Sequence, residues 1–236
     1  MSVEWIVVIV AGVSTLTGVV LIPFASRFAR SIGAVDIPRK GKIHRQPTPL
    51  LGGLAFIGAC LIAIGVAFLI DPIVEESFAD TPLQALALFG TGLLFAAVGF
   101  IDDRVGLSPK ARLAVELPVA VLIAVFVAQF DVLFLPGVFA IELGDFGGVL
   151  AVFWILGITN AINLIDGIDG LAGGVSMIIA LFLAVLAFAG GLLWLGLVLI
   201  ALTGGCLAFL FFNYAPARIF MGDTGSLFLG GVLSVS

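Results

Sequence analysis

Long apolar runs, separated by short polar connections, constrain the fold of this chain more than any other sequence feature. A helix needs about 20 mostly apolar residues to cross the hydrocarbon core of a bilayer. Seven runs are suited to that task, and an eighth begins near residue 224. The sequence therefore predicts an all-α, polytopic transmembrane helix bundle of about eight spans. The predicted spans are 4–24, 50–70, 82–101, 113–130, 147–165, 171–189, 192–212 and an incomplete last one from about 224.

The composition excludes several other classes of protein. Of the 236 residues, 62% are hydrophobic and 11% are charged, whereas a soluble domain is about half apolar and about a quarter charged. A soluble globular protein, a disordered protein and a disulfide-stapled secreted protein are therefore excluded. Cys60 and Cys206 each lie inside an apolar run, so we expect both to be small buried residues. Because spanning helices form one bundle in lipid, we expect a single integral membrane domain over 1–236.

The basic residues predict the orientation of the bundle. All ten lie in connections that follow odd-numbered spans, while the connections after even-numbered spans carry acids only. The positive-inside rule then places the basic connections in the cytoplasm and the amino terminus outside. The first run has no basic residue before it and no small-residue cleavage site, so we expect a true helix rather than a signal peptide. The basic residues are Arg27, Arg30, Arg39, Lys40, Lys42, Arg45, Arg104, Lys110, Arg112 and Arg218.

Three acidic clusters lie on the predicted cytoplasmic side, at 99–104, 160–170 and 213–226. A fourth polar patch, at 36–45, contains the only histidine, His44. Ionisable groups near membrane depth are costly and are functional candidates for that reason. Taken alone, an acid at a helix end can simply be solvated or can cap the helix N-terminus. A calcium loop is disfavoured because no ladder of acids ends in a Glu at its twelfth position.

The spacing of the polar residues within these clusters suggests their chemistry. Asp102 and Asp103 are adjacent, so on a helix their side chains diverge by about 100°. One can then bind an ion while the other orients the site or accepts a proton. Asn163, Asp166 and Asp169 are spaced by three, which places them on one face if the segment is helical. Glycines in the same segment favour instead a broken or re-entrant helix, whose free N–H groups could receive a phosphate.

The joint occurrence of these acids predicts a site for a metal ion and phosphates. Oxygen ligands without thiolates suit magnesium or manganese rather than zinc. Phosphoryl transfer needs a cation to neutralise charge on the transferring group. The nearby basic residues supply counter-ions for anionic substrates and lipid heads. The five carboxylates on this face are Asp102, Asp103, Asp166, Asp169 and Asp223.

At these residues the chain resembles a known family, the polyprenyl-phosphate N-acetylhexosamine-1-phosphate transferases of glycosyltransferase family 4. That family includes the bacterial enzymes that start enterobacterial common antigen, O-antigen and wall teichoic acid, and phospho-MurNAc-pentapeptide translocase. The matching segments, 44–53, 99–110, 160–173 and 212–230, occur in family order over essentially the whole chain. The most specific signal is NxxNxxDGxDGLA, followed about forty residues later by FNxxPAxxFMGDTGS.

The resemblance implies a reaction at the cytoplasmic face of the cell membrane. A sugar-1-phosphate, GlcNAc-1-phosphate by first choice, moves from a UDP-sugar to undecaprenyl phosphate and releases UMP, which initiates a cell-envelope glycan. The implied cofactor is Mg²⁺, with Mn²⁺ as its substitute. The implied partners are the UDP-sugar, the polyprenyl phosphate and the bilayer, with no nucleic acid. The resemblance leaves open whether the chain forms a homodimer and whether transfer is direct or passes through a covalent intermediate.

Motif matching also implies roles for individual residues. Asp223 matches the magnesium ligand, and Asn163 is the second candidate ligand. Asp102 and Asp103 match the family's acidic pair, and Asp103 is assigned to binding or deprotonating the lipid phosphate. All of these roles are implied by the resemblance.

The remaining residues of the implied site lie in the other matching segments. Asp166 and Asp169 are catalytic candidates that would line the nucleotide pocket. Asn160 and Asn213 are candidates for binding substrate or supporting the site. His44 matches a segment near the lipid-phosphate site, although an ordinary loop residue explains it equally well.

Several alternatives stay open at this point. The segment 47–53 resembles the N-acetylglucosamine branch, because the translocase would carry GTPTMGG there; phospho-MurNAc-pentapeptide transfer is the alternative reaction. From another class, a secondary transporter also has acids in discontinuous helices, but usually near the bilayer midplane rather than at one interface. The chain stops before the family's His-rich loop and C-terminal spans. We therefore expect a fragment, and the other interpretation is an inactive remnant.

Overall fold

The computed structural model of the chain describes residues 1–38, 47–126, 130–135, 137, 139–144 and 146–236. These residues form nine helices: α1 (Val3–Ser31), α2 (Gly52–Ile70), α3 (Pro72–Ala79), α4 (Pro82–Val105), α5 (Pro109–Phe126), α6 (Phe146–Ile165), α7 (Leu171–Ala189), α8 (Leu193–Asn213) and α9 (Gly222–Ser234). They also form two antiparallel two-stranded sheets, in which β1 (Val35–Asp36) pairs with β2 (Thr48–Pro49) and β3 (Val132–Leu135) pairs with β4 (Phe139–Glu142).

The prediction of an all-α, polytopic membrane protein is confirmed. Each of the eight predicted spans contains a helix in the described part of the chain, and six of these helices are long and apolar enough to cross a membrane: α1, α2, α4, α6, α7 and α8. The helix α5 has only 18 residues and carries charges in its first turns, and α9 has 13 residues. The chain is thus a multi-pass membrane protein.

The structure corrects the predicted end of the first span. The apolar run stops at Phe24, but α1 continues to Ser31 and includes Pro23 within the helix. A helix does not end where its apolar run ends, because its backbone hydrogen bonds can continue into the polar interface. The last turns of α1 carry Arg27 and Arg30, which are exposed and suit the negative end of the helix dipole.

The structure contains a short helix, α3, that the sequence analysis did not predict. Asp71 ends α2 in an extended conformation and accepts a hydrogen bond from the backbone N–H of Ile73 at 3.1 Å, which caps α3. The next residue, Pro72, occupies a helical position where its missing N–H costs nothing. The ring of Phe78 then packs against Trp194, with 5.6 Å between ring centroids, and fastens α3 to α8.

Glycines allow the helices around α9 to approach closely. A Cβ atom on Gly53 of α2 would overlap the backbone of Gly225, and one on Gly99 of α4 would overlap the carbonyl group of Asp223. A Cβ on Gly230 would meet the backbone of Thr159 in α6 in the same way. Small residues are the usual means of close helix packing in lipid. The short helix α9 is therefore held between α2, α4 and α6, with almost all of its residues buried.

This packing makes Gly99 a sensitive position. We expect Gly99→Ala to lower the stability of the protein by about 1–3 kcal/mol, because the added methyl group overpacks the contact with the start of α9. The measurement is thermal unfolding of the purified protein in detergent. The matched control is Gly90→Ala in the same helix, where nothing lies within 4 Å of the added atom. Equal melting temperatures for the two variants would contradict the packing described here.

Candidate active site

The segment that leads into α2, around Pro49 to Gly53, lies against the segment that precedes α9. The backbone N–H groups of Gly52 and Gly53 donate to the carbonyl groups of Phe220 and Met221, both at 2.9 Å. The N–H of Phe220 donates in turn to the carbonyl of Pro49 at 2.8 Å. Two of the motif segments that are far apart in sequence are thus joined through their backbones.

Asp103, at the end of α4, binds the first turn of α9. Its carboxylate accepts hydrogen bonds from the backbone N–H groups of Asp223 and Thr224, at 2.9 and 3.0 Å. It also accepts one from the hydroxyl of Thr224 at 2.6 Å. The free N–H groups at a helix start need acceptors and favour a negative charge, so Asp103 caps α9 from a different helix. The role of Asp103 toward a lipid phosphate stays a prediction.

The neighbouring carboxylate, Asp102, is buried and has different partners. It accepts a hydrogen bond from the N–H of Leu107 at 2.6 Å and lies 3.5 Å from Nη1 of Arg112. The chain turns back toward Asp102 at Gly106, whose φ of 71° is one that glycine adopts without strain. The two adjacent acids thus contact different elements: Asp102 contacts the turn between α4 and α5 and the first turn of α5, and Asp103 contacts α9.

The two predicted metal ligands lie together. The side-chain amide of Asn163, near the end of α6, donates hydrogen bonds to the carboxylate of Asp223 and to the hydroxyl of Ser226 at 2.8 Å. These bonds use the two amide hydrogens of Asn163, so its carbonyl oxygen is the atom left to contact a cation. Asp223 lies within the first turn of α9 and not at its N-cap position, and the N–H groups of that turn donate to Asp103. Its charge still suits the positive end of the helix dipole.

Sequence reasoning missed Glu116, and it does not distinguish Arg112 from the other basic residues near the site. Nη1 of Arg112 lies 3.7 Å from the Asp223 carboxylate, and its Nε lies 3.6 Å from Glu116. Glu116 is completely buried and accepts a hydrogen bond from the amide of Asn160 at 2.7 Å. The available signal was an acid inside a predicted span, four residues after an arginine.

Asn160 was predicted to bind substrate. Its amide group instead donates to Glu116 and to the carbonyl of Leu156 at 3.0 Å, which uses both amide hydrogens inside the protein. A contact between Asn160 and substrate stays a prediction. The other binding candidate, His44, falls in 39–46 and lies outside the described residues.

Asp169 and Asn213 tie the turn between α6 and α7 to the segment before α9. The carboxylate of Asp169 accepts a hydrogen bond from the N–H of Ala217 at 2.9 Å. Asn213 accepts one from the N–H of Gly170 at 2.8 Å and donates one to the carbonyl of Ile219 at 2.9 Å. Within the described contacts, these two side chains fix the loops around the site, and their roles toward a nucleotide stay predictions.

Asp166 begins the same turn and experiences the combined charge of the site. Burial raises the pKa of Asp166 well above its ordinary value, and the negative charges of Asp223, Asp103 and Asp169 raise that pKa further. These carboxylates repel one another, so a cation among them would be stabilising. Among the described residues, no three acidic, histidine or cysteine side chains form a metal cluster by themselves. Amide oxygens, water and substrate phosphates are the ligands that would complete a magnesium site here.

The described residues define a multi-pass membrane protein with a carboxylate-rich centre at the ends of its helices. The model of the family described as glycosyl transferase family 4 matches residues 85–236. The chain is 42% identical over 230 residues to a probable undecaprenyl-phosphate N-acetylglucosaminyl 1-phosphate transferase of Bacillus subtilis, covering 94% of the chain and 60% of that relative.

Two further relatives are phospho-N-acetylmuramoyl-pentapeptide-transferases. The protein from Desulforudis audaxviator is 36% identical over 258 residues, covering 98% of the chain and 75% of the relative. The protein from Heliobacterium modesticaldum is 36% identical over 244 residues, covering 98% and 72%. The chain therefore belongs to glycosyl transferase family 4, and it spans 60–75% of the length of these three relatives.

Proposed function

We propose that this chain carries the catalytic centre of an enzyme that transfers a sugar-1-phosphate from a UDP-sugar to undecaprenyl phosphate. The proposal rests above all on one observation: the binding of Asp103 to the start of α9, which brings Asp223 beside Asn163. Family membership supplies the reaction class. GlcNAc-1-phosphate is the first choice of substrate, because the relative that is 42% identical is named for N-acetylglucosaminyl 1-phosphate transfer to undecaprenyl phosphate.

The net reaction forms one phosphorus–oxygen bond and breaks another. An oxygen of the lipid phosphate bonds to the phosphorus that carries the sugar, and the bond from that phosphorus to the UMP oxygen breaks. The products are undecaprenyl-diphospho-sugar and UMP. Negative charge moves onto the departing phosphate, so the centre must stabilise anions in a site of low dielectric.

The residues of this chain supply that stabilisation in two ways. Mg²⁺, or Mn²⁺ in its place, neutralises phosphate charge when bound, and Asp223 with the amide oxygen of Asn163 would hold it. Arg112 provides a permanent cation beside Asp223. Asp103 orients the metal-binding turn through the three hydrogen bonds that it accepts. Asp103 has a second predicted role, which is to bind or deprotonate the phosphate of undecaprenyl phosphate, the acceptor of the sugar-1-phosphate.

The role of Asp223 is tested with the full-length native gene product in membranes. Given UDP-GlcNAc, undecaprenyl phosphate and magnesium, we expect the wild type to release UMP. Asp223→Asn should lose about 99% of that rate, because the weakened ligand no longer holds the cation. EDTA should stop the wild-type reaction and magnesium should restore it. The matched control is Asp80→Asn, since Asp80 is an exposed acid at the end of α3.

Each contrary result has a definite meaning. Wild-type turnover by Asp223→Asn would remove Asp223 as the metal ligand, and indifference to EDTA would remove the metal from the mechanism. The second candidate reaction, transfer of phospho-MurNAc-pentapeptide, is favoured by the two relatives of that name that each cover 98% of the chain. UMP release with UDP-MurNAc-pentapeptide but not with UDP-GlcNAc would establish that second reaction.

We propose further that the protein lies in the cell membrane with this site at the cytoplasmic face. The basis is the separation of basic from acidic connections along the chain. The N-terminal amine lies 2.6 Å from Asp71, so the start of α1 and the end of α2 share the opposite face.

Labelling with an impermeant thiol reagent checks this orientation. Lys110, in the first turn of α5, and Glu75, in α3, are both exposed, whereas the two cysteines of this chain are buried. We expect Lys110→Cys to be labelled only in inverted vesicles and Glu75→Cys only in right-side-out vesicles. The reverse pattern would overturn the proposed topology.

A further inference from the structure

Glu116 is a buried carboxylate, and one of its two oxygens accepts no hydrogen bond from the described residues. It lies in α5 and has no exposed surface. Its Oε2 accepts the hydrogen bond from Asn160, but its Oε1 receives no hydrogen bond from any described residue. Nε of Arg112 lies 3.6 Å from Oε1, beyond ordinary hydrogen-bond distance. Burying a charge costs free energy unless it is paired and hydrogen-bonded, so an incompletely bonded buried carboxylate calls for a functional explanation.

The arginine beside Glu116 is held loosely between acids. Nη1 of Arg112 lies 3.5 Å from Asp102 and 3.7 Å from Asp223, while Nε lies 3.6 Å from Glu116. Charge-assisted hydrogen bonds are typically about 2.7–2.9 Å long. The guanidinium is therefore attracted by three carboxylates, and it forms a short ion pair with none of the three. Its side chain is also 22% exposed, so its N–H groups can reach an anion in the site.

We propose that Glu116 is a positioning residue for the transfer reaction. Asn160 fixes the Glu116 carboxylate from α6, and Glu116 attracts the Nε end of Arg112 so that the Nη end stays beside Asp223. In that position the guanidinium contacts the diphosphate of the nucleotide-sugar as charge moves onto the departing phosphate. Glu116 itself touches no substrate. This inference rests on the proposed function.

A purely structural role makes a different prediction for the same residue. If Glu116 only stabilised the bundle, Glu116→Gln would lower the melting temperature. In the positioning account, the substitution keeps the shape, and the glutamine carbonyl can still accept from Asn160. Arg112 retains two other acids nearby, so no buried charge is left unpaired. Activity then falls while thermal stability is kept.

The test is a double-mutant cycle on the full-length protein, with UMP release as the rate and UDP-GlcNAc, undecaprenyl phosphate and magnesium as substrates. We expect Glu116→Gln to lower kcat roughly 10- to 100-fold, as a small misplacement of a charged group does. In an Arg112→Gln background the same change should cause no further loss. Arg112→Lys provides a second background. Lysine keeps the positive charge, but its single ammonium group cannot lie beside Glu116 and Asp223 in the way that the two ends of the guanidinium do. Glu116→Gln should be silent there too.

Glu75→Gln, an exposed glutamate in α3, is the matched control and should keep the wild-type rate and melting temperature. Wild-type kcat in Glu116→Gln, or equal fold-losses with and without Arg112, would overturn the inference while the proposed function stands. A lowered melting temperature in Glu116→Gln with independent losses would establish the structural role instead. Failure of the wild type to release UMP from any UDP-sugar would overturn the proposed function and this inference with it.

Discussion

The first turn of α9 is held by a carboxylate from another helix, and the candidate site depends on that contact. Asp103 accepts from two backbone N–H groups and one hydroxyl at the start of α9. This contact requires the backbones to approach closely, which Gly99 permits one turn earlier in α4. Only then do Asp223 and Ser226 meet the amide of Asn163. The cap joins α4 to α9, and the bonds of Asn163 add α6, at the place where the chemistry is proposed.

The site is built at helix ends because a membrane bundle offers few free polar groups elsewhere. Within the spans the backbone groups are used in helices, whereas the end of α4, the turn after α6 and the start of α9 offer free groups and tolerate charge. The exception is Glu116, which lies inside α5 and is buried. Its cost is offset by Asn160 and Arg112, and the resulting network links Asp102, Glu116 and Asp223 through one guanidinium.

The sequence predicted the helices well because apolar runs and their polar interruptions are local properties. It also selected Asp223 and Asn163, which lie together. It could not assign Asp103 to α9, because the partner of each adjacent acid depends on how two helices cross. It missed Glu116 for a related reason: an acid in an apolar run is meaningful only once its neighbour on another helix, here Asn160, is known. The short helix α3 depends on a cap at Asp71 that hydropathy does not register.

Hydrogen exchange of the full-length protein tests the central claim most directly. Asp103→Asn replaces one accepting oxygen by an N–H₂ donor, which would face a backbone N–H or the Thr224 hydroxyl at the start of α9. If the capping contact holds the site, amide exchange in the peptide 220–228 will rise in Asp103→Asn, while a peptide from α1 exchanges as in the wild type. Unchanged exchange in 220–228 would show that α9 is fixed without Asp103, and would contradict this account of the site.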